Sequence, residues 1–221
     1  LISRLQAKAL NAHVRCETMP AFFEIAKFEE GIALLGRPEM RALITKKGLQ
    51  ANIMQRSFLY LLTRSDDGIA LLEDDVLRSK ITPDMINLTD GHSCDSVAAN
   101  LCRSERGRQL LLDHLELAAM IDGHVFNLDW RYGRSLLFDL VRSSVGLELL
   151  AASKHLRGLI NIDSLNQLSP YEEDRGASPF YYLLASEQGR AVLLKDKRWL
   201  KMIEQRDLLG THQPKKVTIA E

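Results

Sequence analysis

Cysteine is scarce in this chain. Cys16, Cys94 and Cys102 are too few and too scattered for a disulfide framework, and their odd number fits a reducing, intracellular setting better than secretion. Surplus charge is also lacking, with 29 Lys and Arg set against 29 Asp and Glu. Nucleic-acid binding draws on a cationic excess that displaces counterions, so no nucleic-acid partner is expected. Nowhere does an uncharged apolar stretch approach the ~20 residues that cross a bilayer, and no signal-peptide pattern precedes the first apolar run. A soluble chain without membrane insertion is expected, cytosolic in location. It opens on Leu1 and reads as a processed or excised piece.

β-branched residues are few as well. There are 21 Val and Ile against 38 Leu, and leucine loses little rotamer freedom in a helix whereas branching at Cβ favours strands. No segment alternates apolar and polar residues between turn signals, so the expectation is an all-α chain.

Five segments align without gaps around a glycine: Gly31, Gly68, Gly107, Gly146 and Gly189, spaced by 37, 39, 39 and 43 residues. Eleven positions earlier stands a serine in four copies (Ser57, Ser96, Ser135, Ser178), with Pro20 in the first. Three positions earlier stands another (Ser65, Ser104, Ser143, Ser186), with Phe28 in the first. A leucine pair, or Val192/Leu193 in the last copy, follows three and four positions later. The first serine predicts the N-cap of a helix of about nine residues with an inward stripe: Phe22/Ile25/Ala26, Leu59/Leu62/Thr63, Ala98/Leu101/Cys102, Leu137/Leu140/Val141 and Phe180/Leu183/Leu184. The second predicts the N-cap of a second helix, which carries the leucine pair and runs on to Met120/Ile121, Leu159/Ile160 or Met202/Ile203. In the first copy Gly36-Arg37-Pro38 splits it. The glycine allows either close helix approach or a left-handed turn.

Between units the sequence reads as 14 to 20 irregular residues, with short extra helices at Thr82-Pro83-Asp84 and Ser169-Pro170-Tyr171. A unit of about 39 residues cannot offset its own ordering entropy of ~1–2 kcal/mol per residue, so the units must stack on a shared core. The expected architecture is an α-solenoid of about five helix pairs. Residues 1–19 read as the last helix of a preceding unit or an N-terminal cap, 20–56, 57–95, 96–134, 135–177 and 178–210 as the five units, and 211–221 as a tail or the start of a further unit.

Asp174-Arg175-Gly176-Ala177-Ser178-Pro179-Phe180, and more loosely Asp129 through Gly133-Arg134-Ser135-Leu136, resemble the opening of an ankyrin repeat. The departures are a longer unit, an eleven-residue distance from cap to glycine, and no Leu-His-x-Ala stretch. The unit length also resembles HEAT and armadillo repeats of ~40–47 residues. The resemblance implies a non-catalytic protein-protein interaction scaffold that acts as a monomer. Alternatively it implies the target-recruiting segment of a larger enzyme, or of an ankyrin-type effector that intracellular bacteria deliver into a host cytosol.

No phosphate loop, zinc-ligand pattern or nucleophile elbow is present in the sequence, and no cofactor or metal is expected. His92, Cys94 and Cys102 offer soft ligands, but Cys102 falls on the inward stripe. Cys16 and His13 lack an orienting third group. Stacking turns columns into ladders, and three of these, with one connection, are candidates for a partner protein. One is aromatic: Phe23, Tyr60, Phe138 and Tyr181, with Ala99 in the third unit. Its neighbour is variable: Glu24, Leu61, Asn100, Asp139, Tyr182. A third is basic, Lys27, Arg64, Arg103, Arg142, placed either to receive an acidic segment or to complement helix dipoles. The fourth candidate is the connection Trp130-Arg131-Tyr132.

Overall fold

The computed structural model describes residues 21–50, 52–53, 56–89, 95–127, 135–168 and 176–199. These are mostly helical, and the only strand residues among them are Asn52–Ile53 and Arg56–Ser57, paired antiparallel. The end helix and tail expected at residues 1–19 and 211–221, and the helix expected at Ser169-Pro170-Tyr171, lie outside the described residues.

Among the described residues, units one to four each contain four α-helices rather than two, and the fifth shows its first pair. First helices span Ala21–Ile25, Phe58–Leu62, Val97–Arg103, Leu136–Val141 and Pro179–Ala185, five to seven residues instead of nine. Ser57, Ser96 and Ser178 accept the predicted cap hydrogen bonds from Tyr60, Ala99 and Tyr181 amides at 3.0, 3.0 and 3.3 Å. Ser135 makes no such bond, and its buried hydroxyl has no partner among the described residues. Second helices span Glu29–Leu35, Asp66–Ala70, Glu105–Asp113, Ser144–Ala152 and Glu187–Leu194. Ser65, Ser104, Ser143 and Ser186 each accept from the amide of the following glycine, at 3.1, 3.2, 3.3 and 2.9 Å. Phe28 stands at this place in unit one and makes no side-chain cap.

The glycine column is a close approach, not a left-handed turn. A Cβ there would lie 1.7, 2.0, 2.3, 2.1 and 2.3 Å from the carbonyl oxygens of Ile25, Leu62, Leu101, Leu140 and Leu183. The start of the second helix therefore rests directly on the last carbonyls of the first, joining opposite ends of two helix dipoles.

The second helix does not run on as expected. Third helices (Pro38–Leu43, Asp75–Arg78, Leu115–Ala118, Lys154–Leu159) follow in every complete unit, so the break at Gly36-Arg37-Pro38 is the rule rather than a peculiarity of unit one. Asp74 and Ser153 cap two of them, since a short polar side chain there satisfies amides that the preceding helix cannot. Fourth helices (Lys46–Gln50, Pro83–Asn87, Gly123–Asn127, Ile162–Asn166) follow; Pro83–Asn87 is the short helix expected at Thr82-Pro83-Asp84, and the other three occupy what reads in sequence as irregular connection. They carry a second signature that the glycine alignment leaves unread. A buried isoleucine (Ile44, Ile81, Ile121, Ile160) precedes a cap-type residue, and five positions on come a buried apolar residue and then an amide.

Two of these amides, Asn87 and Asn127, join units. Asn87 Nδ2 donates to the Met120 carbonyl at 2.7 Å and its Oδ1 accepts from the Asp122 amide at 3.0 Å. Asn127 Nδ2 repeats the first bond to the Leu159 carbonyl at 2.8 Å. Arginines on third helices close the second: in unit two, where a 3₁₀ turn at Leu71–Glu73 extends the second helix, Arg78 Nη1 donates to Glu73 O at 2.9 Å, and in unit four Arg157 Nη1 donates to Ala151 O at 2.7 Å.

Each first helix packs on the first helix of the next unit and each second helix on the next second helix, and one apolar cluster runs from Phe22 to Trp199. The predicted inward stripe is core through four units, with Ile25 and Phe180 half-buried. Leu184, in the last unit, is exposed.

Gly146→Ala should destabilise the chain by about 1–3 kcal/mol in urea unfolding, because a backbone carbonyl has to give way. Gly158→Ala, where nothing lies within 4 Å of the added Cβ, should instead gain roughly 0.5–1 kcal/mol. Asn87→Ala should cost about 1–3 kcal/mol by orphaning groups in the next unit. Asn166→Ala removes a bond only to Ile162 O of its own helix and should cost less than ~1 kcal/mol.

Candidate interaction surface

The aromatic ladder belongs mainly to the interior. Phe23, Tyr60, Ala99 and Phe138 are buried, Phe22 and Phe23 packing on Phe58 with ring centroids 5.4 and 5.8 Å apart. Their column faces the next unit, so rings here fill the seam and have no surface to offer a partner. Tyr181 alone of the set is exposed.

The variable column lies beside it and remains partly accessible. Three of its members reach back to the preceding unit: Asn100 Nδ2 donates to Tyr60 O at 3.3 Å and to Thr63 Oγ1 at 3.1 Å. Asp139 Oδ2 accepts from Arg103 Nε at 3.4 Å, and the Tyr182 ring meets Phe138 edge-on at 5.6 Å. Leu61 is half-buried against the core, and Glu24 pairs with Lys27 at 2.8 Å on the surface. One position thus does two jobs, tying units together and showing a different side chain in each.

The basic ladder is not uniform. Arg103 is half-buried between Asp95 and Asp139, at 2.7 and 3.4 Å, and Tyr60 donates its hydroxyl to the other Asp95 oxygen at 3.5 Å. Burial opposes the Arg103 charge. The Asp95 hydrogen bond and the Asp139 charge outweigh that and raise its pKa above the usual value. Arg103 is therefore an internal tie. Arg64 and Arg142 are exposed near the C-terminal ends of their helices, Arg142 lying 5.9 Å from the Phe138 ring centroid. Carbonyls at the end of the first helix in unit three are held by a different arginine that the ladder missed. Arg108, one position after the glycine, lies 2.8 Å from both Cys102 O and Arg103 O.

Trp130, Arg131 and Tyr132 lie outside the described residues, as do Cys16, His13, His92 and Cys94. Cys102 is fully buried, and burial, with the Asp139 charge behind it, pushes its pKa up to about 12. It is a core thiol. Among the described residues no group of three His, Cys, Asp or Glu side chains could hold a metal ion, and no helix is long and apolar enough to cross a membrane. No protein-family model, curated protein or solved structure matches this chain.

In the folded chain Cys102 should resist iodoacetamide at mildly alkaline pH and react only in denaturant, as peptide mapping would read. The raised pKa also sets a sign. The stability it contributes is complete below the thiol's ordinary value of 9.0 and is lost as pH climbs toward about 12.

Proposed function

We propose that this chain is a non-catalytic protein-binding scaffold, an α-solenoid of ankyrin-like units that grips a partner protein along the exposed edge of its first helices. One observation carries the reading: chemically different side chains (Glu24, Leu61, Asn100, Asp139, Tyr182) occupy one partly accessible column above a core that is apolar in every unit. Constant columns build the stack and a variable one offers specificity, which is the division of labour that suits extended binding surfaces. Arg64 and Arg142 flank that column and supply cationic contacts to an acidic partner segment. The ankyrin-like part of the reading draws further support from the connections. Antiparallel contacts fall at the same place in two of them, Asn52↔Ser57 and Thr89↔Ser96, in keeping with the β-turn between ankyrin helix pairs.

The test is capture of a partner from cytosolic extract by the wild-type chain and by the double variant Arg64→Glu/Arg142→Glu. Both side chains are exposed and Arg142 gives up its contact with the Phe138 ring, so thermal unfolding should shift by no more than about 1 kcal/mol while the captured partner is lost or weakened in a salt-dependent way. Undiminished capture by the variant would reject this edge as the binding surface.

A further inference from the structure

Neighbouring first helices stand within side-chain reach of one another along the edge proposed for binding. Asn100 Nδ2 donates to Thr63 Oγ1 of unit two at 3.1 Å, Arg103 Nε to Asp139 Oδ2 of unit four at 3.4 Å, and the Phe138 and Tyr182 rings of units four and five meet at 5.6 Å. Axes of packed helices lie about 8–10 Å apart, so equivalent side chains two units apart are separated by about 20 Å.

The basic column is not equally available along that row. In unit one Lys27 pairs with Glu24 at 2.8 Å, and unit five has Ala185 in the same place. Arg64 of unit two and Arg142 of unit four are exposed. Between them Arg103 is half-buried and drawn onto Asp95 and Asp139, at 2.7 and 3.4 Å, so a partner passing over unit three meets carboxylates as well as the guanidinium. A chain charged at every link, such as a nucleic acid, would set its phosphates over Asp95 and Asp139. A segment with two separated acids would not.

We propose that the partner's acidic segment is an extended strand with carboxylates at positions i and i+6, seated on Arg64 and Arg142, and with uncharged residues at i+2 and i+4 over unit three. Six residues at about 3.3 Å each span about 20 Å, and the alternation of side chains in an extended chain turns i, i+2, i+4 and i+6 to the same face. Residues i+1, i+3 and i+5 point away and are unrestricted. The proposal rests on the binding edge above, to which it adds a spacing and a parity.

The full chain, applied at low salt to immobilised Ser/Thr peptides carrying two glutamates at separations of two to fourteen, should be retained best at six and less at five and seven. Loss of either glutamate should weaken binding about two- to fivefold, the size of a surface ion pair. A third glutamate at i+2 or i+4 should weaken retention although it adds charge, whereas one at i+3 should leave it largely unchanged. Asp139→Asn, checked for unchanged circular dichroism, should reduce the penalty at i+4, and Arg64→Glu/Arg142→Glu should abolish the preference for six. Retention that rises with the number of glutamates wherever they stand overturns the proposal. So does retention without alternation between even and odd separations, a peak near fourteen as a helical partner rising about 1.5 Å per residue would give, or no retention at any spacing. If one of these results accompanies a double variant that still loses its captured protein, the spacing rule fails alone and the binding edge stands.

Discussion

Everything in this chain depends on one contact, the second helix of each unit seated on the terminal carbonyls of the first. It admits no side chain at its centre, which is why glycine recurs there while the residues around it vary. Gly31, Gly68, Gly107, Gly146 and Gly189 all have ordinary helical backbone, and the demand on them is purely one of space. Because the junction is so short, the serine before it satisfies the amide of the glycine itself, and cap and contact form a single device. Two helices joined in this way carry an apolar stripe that is covered by the corresponding helices of the neighbouring units.

Helices of four to nine residues are far too short to persist alone. Their order comes from neighbours on both sides and from side chains that reach carbonyls a helix end leaves bare. Arg78, Arg108, Arg157 and Arg190 perform that service inside units, each lying on a carbonyl at the end of the helix before its own. Asn87 and Asn127 perform it between units. These bonds support the apolar core rather than compete with it, because each ends on backbone that burial would otherwise strand.

Gly, Ser and Leu made the first half of each unit legible, since caps and buried pairs at fixed spacing have few physical explanations. The second half was harder. Its isoleucine, cap residue and amide recur as regularly, but the segment is too short for helical periodicity to emerge, and only Thr82-Pro83 signals a helix start while the Asp-Gly and Asn-Ile openings read as turns. Helix breaks after Glu73, Asp113 and Ala152 were invisible because leucine-rich sequence continues through them. Among surface residues, a column of aromatics has the same spacing whether it faces solvent or the next unit, so only packing could assign Phe23, Tyr60 and Phe138 to the interior. Arg103 was similarly ambiguous, its role settled by Asp95 and Asp139, which no spacing rule connects to it.

The alignment holds one further consequence. From the capping serine to the glycine the distance is always eleven, and from the glycine to the amide of the fourth helix it is 19 or 20. From that amide to the next serine it is 7, 9, 8 and 12. Variation in unit length is thus confined almost wholly to one connection, outside the described helices. Chain-closure entropy grows by only about 0.6 kcal/mol per doubling of a connection's length. These connections are therefore the chain's natural grafting points, where foreign sequence, whether introduced by evolution or by an engineer, is least able to disturb what lies beneath.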